Sequence, residues 1–334
     1  MATESTKVAV IMGGTSFERK FSLRSGKLVC DLLARDGYEV LPLDADEHLV
    51  DTLRSERPDA AFVCLHGAGG EDGAVPALLE FLRIPYVGSR AAVCRAAWNK
   101  PDTPFVMRRT FSAEESDAIW PAEVALPMGA FKDLGAAAAL DLVAGRIGSG
   151  FPLAVKPAHG GSAMGVTKVD EESQLGEAIM TALAYDDVVM IEEWVEGAEL
   201  SCTVLELDDG PQVLPEVEIH AHEGLYDTDA RTNPERVDYF CPARDQSLAS
   251  GGMDAAEARG AVRRAALDVF EAFDCRDLAR VDLIWDGSKA RIMDLKTFPG
   301  LTETSLVPMA VEAAGLDMAS TLDALVRKAQ ARGC

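Results

Sequence analysis

The stretch Leu278–Pro308 reads LARVDLIWDGSKARIMDLKTFPGLTETSLVP. Its apolar runs, Leu278–Trp285 and Lys289–Leu295, flank Asp286-Gly287-Ser288. Asp-Gly between such runs is a strong hairpin signal, so the spacing predicts two strands joined by that turn. Asp282 falls near the middle of the first strand and Asp294 at the end of the second, and pairing brings both carboxylates to one face. Two carboxylates converging at a strand end suit a hard cation such as Mg²⁺, especially one that shares phosphate oxygens. The ladder then breaks at Lys296-Thr297-Phe298-Pro299-Gly300, where Pro and Gly free backbone amides from pairing. Arg280 and the Gly300 amide are together suited to stabilising an oxyanion. A surface hairpin with solvated Asp residues satisfies the same pattern, so the hairpin alone leaves two readings open.

The rest of the chain narrows them. At 334 residues and 48% hydrophobic content, it has enough apolar material for two or three packed subdomains. A net charge of −23 argues against a nucleic-acid or anionic-membrane surface. A nucleotide substrate stays open, since it needs only a local cluster of Lys and Arg. The seven cysteines (30, 64, 94, 202, 241, 275, 334) show no C-x-x-C and no Cys/His ligand spacing. They read as reduced thiols of a cytoplasmic protein. The polar start Met1–Thr6 is unlike a signal peptide, and no apolar run has the length of a membrane span.

Lys7–Met12 (KVAVIM) reads as a buried strand ending at Gly13-Gly14-Thr15-Ser16. Ser22 is a candidate N-cap for a helix over Leu23–Arg35, closed by Gly37. Strands over Tyr38–Leu43 and Ala60–Leu65, with a helix near Glu47–Ser55, extend an alternating pattern. That pattern reads as a doubly wound parallel sheet with functional loops at its strands' carboxyl ends. Gly13–Phe21 and His66–Gly73 are two such loops, and neither carries a dinucleotide or P-loop fingerprint. Pro101 and Pro104 mark a boundary, and an Ala-rich helix is expected over Gly135–Gly145. From Phe151 a second α+β unit follows: strands Pro152–Lys156, Val166–Val169 and Val188–Trp194, with a helix over Glu171–Leu183. Its loop His159–Gly165 offers amide donors to phosphate oxygens, and Lys156 adds a cation. Strands Glu199–Leu207 and Gln212–Ile219 precede a long polar connection, Ala221–Asp238, of the kind that forms lids. Helices over Asp254–Phe273, Leu306–Ala314 and Met318–Ala329 complete the reading.

In this order the segments MGGTSFERKFSLRSG, LHGAGGEDG, IPYVGS, VKPAHGGSAMGVTKV, IEEWVEGAEL, YFCPA, ARVD and TFPGLTETSLVPMA resemble the D-alanine–D-alanine ligase family of ATP-grasp enzymes. The likeness runs from about Lys7 to the C-terminus and is weakest over Pro101–Gly150. It implies a mixed α/β and α+β architecture: a Rossmann-like N-terminal domain (1–100) and two ATP-grasp subdomains (101–190 and 191–334). It also implies a chemistry in which ATP phosphorylates a carboxylate and an amine attacks the acyl phosphate. By resemblance, Lys100 and Lys156 hold ATP phosphates, and Gly161 and Ser162 belong to the flap over them. Glu192, Trp194 and Val195 face adenine, and Glu199 the ribose. Glu18 and His66 belong to the first substrate's subsite, while Ser305 and Leu306 bind the second substrate's carboxylate. Arg280 and the Gly300 amide stabilise the tetrahedral oxyanion, and Asp282 and Asp294 are Mg²⁺ ligands. Small amino-acid-like carboxylate and amine substrates and a homodimer are implied as partners.

Departures from the family pattern cluster on one site. Lys296 stands where the family has an Asn metal ligand, which raises the expectation of one Mg²⁺ rather than two. Asp294 replaces a longer Glu. The lid pattern Tyr–x–x–Lys–Tyr reads Thr228, Arg231 and Thr232, so the Tyr that normally bonds the flap serine is missing. Lys20 replaces an acidic residue, and Gly160 and Ala163 replace Glu and Ser. The resemblance thus implies an ATP-dependent carboxylate–amine ligase with altered acceptor or metal use. An ordinary D-alanine–D-alanine ligase and a non-catalytic nucleotide- or partner-binding member of the same fold are the alternatives.

Overall fold

The computed structural model describes residues 5–112, 119–133, 143, 147, 150–222, 224–227, 230–231, 233, 235–249 and 252–333. Three sheets organise them. The first joins β1 (Lys7–Met12), β2 (Glu39–Asp44), β3 (Ala60–Val63) and β4 (Tyr86–Val87) in the order β2-β1-β3-β4, all parallel. The second, from β5 (Glu123–Pro127), β6 (Leu153–Pro157), β7 (Thr167–Val169) and β8 (Val188–Glu193), runs β5-β8-β6-β7 and is antiparallel. The third contains β9 (Ala198–Leu207), β10 (Gly210–Val213), β11 (Val217–Ala221), β12 (Val237–Phe240), β13 (Leu278–Trp285) and β14 (Ala290–Lys296). Its order is β12-β11-β9-β13-β14, with β10 also on β9.

The single strand expected over Gln212–Ile219 is two, β10 and β11: the Leu214 amide still bonds the Thr203 carbonyl of β9 at 2.9 Å, but Pro215 has no amide to donate and the pairing breaks there. The first long helix, α1 (Arg19–Arg35), begins before Ser22. The Ser22 hydroxyl is no cap. It accepts from the Gly13 amide at 2.8 Å and donates to the Cys64 carbonyl at 2.8 Å, tying the first glycine loop to the end of β3. Past Pro101 the chain runs on through a 3-10 turn (Lys100–Asp102) and a short helix, Thr103–Met107, so the prolines open helical turns there. The Ala-rich helix expected over Gly135–Gly145 lies largely outside the described residues.

The C-terminal helix Met318–Arg332 packs on the first sheet, its Leu322, Leu325 and Val326 sharing a buried core with Val8, Val10, Val29 and Leu33. Asp277, fully buried, accepts from the Gly88 amide at 2.9 Å and from both Arg332 Nη atoms at 2.7 and 2.9 Å. The end of the first sheet, the start of β13 and the last helix are thereby fixed to one another. Under the third sheet, helix Ala255–Ala272 buries Val262, Ala266 and Phe270 against Leu200, Val281 and Trp285. Among the described residues no helix is long and apolar enough to cross a membrane.

Candidate active site

The β13–β14 hairpin turns where the sequence places it. Asp286 Oδ1 accepts from the Ser288 and Lys289 amides at 2.9 and 2.7 Å, and Gly287 takes φ +93°. In the register, Asp282 pairs directly with Asp294 and Arg280 with Lys296. A bulge follows, with Leu283 opposite Ile292, so Met293 is extra on β14. Bulges beside sites re-aim a side chain, and both Met293 and Asp294 face the cavity here.

That cavity, about 810 Å³, is lined by Lys100, Lys156, Gly161, Ser162, Glu192, Trp194, Val195, Glu199, Asp282 and Asp294. A smaller one, about 80 Å³, is lined by Glu18, His66, Ser162, Arg231, Arg280, Gly300, Ser305 and Leu306. Ser162, Tyr226, Arg231, Lys296 and Leu306 line both, so the two spaces meet. The fold brings together every described residue named in advance for the site. Thr232, and Thr228 beside it, lie outside the described residues.

Charge is arranged in pairs around the large cavity. Lys156 Nζ, on β6, reaches Glu192 Oε1, on β8, at 2.7 Å, and both side chains are buried. Lys100 Nζ donates to the Gly160 carbonyl at 2.7 Å and lies 3.8 Å from Asp294 Oδ1. Arg280 grips Asp282 with Nε to Oδ1 at 2.8 Å and Nη2 to Oδ2 at 2.6 Å, while Ser201 adds a bond to Oδ1 at 2.8 Å. A guanidinium has five N–H donors, so three remain for a substrate oxygen. Glu199 is half-buried and close to the Asp282 charge; desolvation first, then that charge, push its carboxyl up to about 7. Trp194 donates to Glu196 at 2.8 Å, and Lys168 lies 4.9 Å from its ring centre.

The flap is held by a side-chain relay. Ser162 and Ala163 are successive non-glycine residues in the left-handed region, at φ +55° and +52°. In that pose Ser162 Oγ donates to Glu18 Oε1 and accepts from Arg231 Nη1 at 2.9 Å. Arg231, whose guanidinium lies 5.0 Å from the Tyr226 ring centre, therefore makes the lid-to-flap bond for which a Tyr was missing. A Cβ on Gly161 would come within 2.8 Å of Lys296 Nζ and 3.1 Å of Glu18 Oε2, so a side chain there would push these two charged groups aside.

His66 lines the small cavity, but both its ring nitrogens bond within the protein. Nδ1 lies 3.0 Å from the Phe298 carbonyl, which only accepts, so Nδ1 carries the proton. Nε2 lies 3.0 Å from Ser25 Oγ, which in turn accepts from the Leu301 amide at 3.1 Å. Burial, abetted by Arg280 and Lys296, lowers the imidazole pKa to about 4 against the pull of Glu18 and the Phe298 carbonyl, so it is neutral near pH 7. Its geometry makes it the support of the Phe298–Leu301 turn that presents Gly300. Ser305 Oγ bonds Thr302, and Leu306 opens the helix Leu306–Ala313 with its amide at the positive end.

Glu71 was missed. It belongs to the loop His66–Gly73, is buried, and meets Lys296 Nζ at 3.0 Å. The signal was Lys296 itself: a lysine between converging carboxylates needs a buried counter-ion, and a quoted loop contained one.

The family described as D-ala D-ala ligase C-terminus matches residues 139–327. A D-alanine–D-alanine ligase of Desulforudis audaxviator is 37% identical over 327 residues, 98% of this chain and 99% of that one. The chain belongs to the D-alanine–D-alanine ligase family. Among solved structures, the family's Bacillus anthracis enzyme complexed with ATP superposes with a TM-score of 0.76 at 27% identity, covering 99% of this chain and 98% of that one. The VanG D-Ala:D-Ser ligase of Enterococcus faecalis gives 0.77 at 25% identity, covering 98% and 100%. The mixed α/β fold is thus the ATP-grasp fold of this ligase family, whose members are ATP-dependent C–N ligases.

Among the described residues no group of three or more His, Cys, Asp and Glu is placed to hold a metal. Asp282 and Asp294, directly opposed, can still share one hard cation with phosphate oxygens. Asp282 Oδ2 carries a single bond from Arg280 and keeps a lone pair for it.

Proposed function

We propose that the chain is an ATP-dependent carboxylate–amine ligase that joins two small amino acids through an acyl phosphate. The observation that carries this reading is the meeting of two cavities at Ser162, Arg231 and Lys296. The large one is nucleotide-sized, with Lys100, Lys156 and Lys296 at hand for phosphates, and the small one has oxyanion donors and a helix N-terminus. Three units, 1–100, 101–190 and 191–334, would each contribute one wall.

The donor carboxylate sits in the small cavity near Glu18 and attacks the γ-phosphorus, and ADP departs. Lys100 and Lys156 hold the phosphates during this transfer, with Glu192, Trp194, Val195 and Glu199 around the nucleoside. A divalent ion bound by Asp282 and Asp294 would neutralise phosphate oxygens. The acceptor, its carboxylate at Ser305 and Leu306, then attacks the acyl carbon with its free amine. Negative charge grows on the carbonyl oxygen, where the free N–H groups of Arg280 and the Gly300 amide stabilise it. Phosphate leaves as the amide forms. The protein's contribution is positioning and fixed charge. Thr232, a smaller residue at the family's second lid Tyr position, supports an acceptor other than D-alanine, because it cannot fill the volume a Tyr would.

ADP release measured against D- and L-amino acids, singly and in pairs, tests the reading. Release should depend on a specific pair, and one D-amino acid should serve as donor. A protein that binds ATP but releases ADP at one rate whatever is added would be a non-catalytic or unrelated member.

A further inference from the structure

The Lys296 ammonium is enclosed by oxygens from three segments. Glu71 Oε2, from the His66–Gly73 loop after β3, is at 3.0 Å, and Asp294 Oδ2 on its own strand is at 3.1 Å. The Gly160 carbonyl, at the base of the flap, is at 3.4 Å. An ammonium has three N–H donors and no lone pair, so this shell matches its full donor set. Lys296 and Glu71 are both buried, and Lys296 lies where the two cavities meet.

Take the ammonium away and two carboxylates and a carbonyl converge on one point. An all-oxygen set of that charge is what a hard divalent ion selects. With the ammonium present, a second ion arriving at this point would meet a positive charge and a shell already bonded.

We propose that Lys296, anchored by Glu71, is a built-in cation that replaces one exchangeable divalent ion on the Asp294 side of the phosphate cavity. The inference rests on the ATP-dependent reading above. It leaves Asp282 and Asp294 to share one ion per nucleotide.

The test counts Mn²⁺ held per protein-bound nucleotide, by paramagnetic resonance with a non-hydrolysable ATP analogue. Wild type should hold one. Lys296→Asn, which removes the charge and restores an oxygen ligand, should hold two. Two ions per nucleotide in wild type would overturn the proposal, whether or not the variant folds. So would a single ion in a Lys296→Asn protein that still binds the analogue. The same titration reports nucleotide binding itself; its absence in wild type overturns the ATP reading and this inference with it.

Discussion

Replacing Arg280 by Met should lower kcat by about 10²–10³-fold, the usual effect of losing one preorganised oxyanion donor. The KM for ATP should change little, because the guanidinium faces the small cavity and only its Asp282 partner faces the phosphates. The variant also removes the bidentate partner of Asp282. Asp282 remains partly open to solvent, with 22% of its side chain exposed, so it can recover hydration and the protein should stay folded. Steady-state kinetics with both amino acids saturating check this. An unchanged kcat would remove Arg280 from the oxyanion site.

The second large effect is expected at Lys156. Lys156→Met should weaken ATP binding by about 30-fold or more, since losing a buried charge-assisted contact costs roughly 2–5 kcal/mol and 1.4 kcal/mol is tenfold. It should also lower stability, because Glu192 is only 1% exposed and would lose its partner at 2.7 Å. Breaking a buried pair costs about 3–5 kcal/mol. Adding Glu192→Gln should restore most of the melting temperature, because no bare carboxylate is then left. Unaltered ATP affinity in Lys156→Met, by calorimetry, would take Lys156 out of the phosphate site.

Much of the site was legible because its chemistry is local. Asp286-Gly287 sets the hairpin register near the turn, but that register continued would pair Asp282 with Met293; the bulge at Met293, which no turn signal marks, is what puts Asp282 opposite Asp294. The period of Lys7–Met12 and Ala60–Val63 likewise gives a buried parallel sheet. What was not legible depends on contacts far apart in sequence. Nothing within a few residues of Ser22 reveals that its hydroxyl joins Gly13 to Cys64 rather than capping a helix. Glu71 and Lys296 are 225 positions apart, and the bond from Arg231 to Ser162 spans 69. The C-terminal helix covers the first sheet because that sheet's apolar face needs a partner, and an amphipathic stripe does not say which face it will meet.

The proposed reaction turns on activating a carboxylate by phosphoryl transfer in the small cavity. It is tested most directly by incubating the protein with ATP, one candidate donor amino acid and hydroxylamine, without an acceptor. ADP and the aminoacyl hydroxamate should form in equal amounts, and both should fall in Lys156→Met at subsaturating ATP. Formation of AMP instead of ADP, or ADP without hydroxamate from any donor, would contradict it.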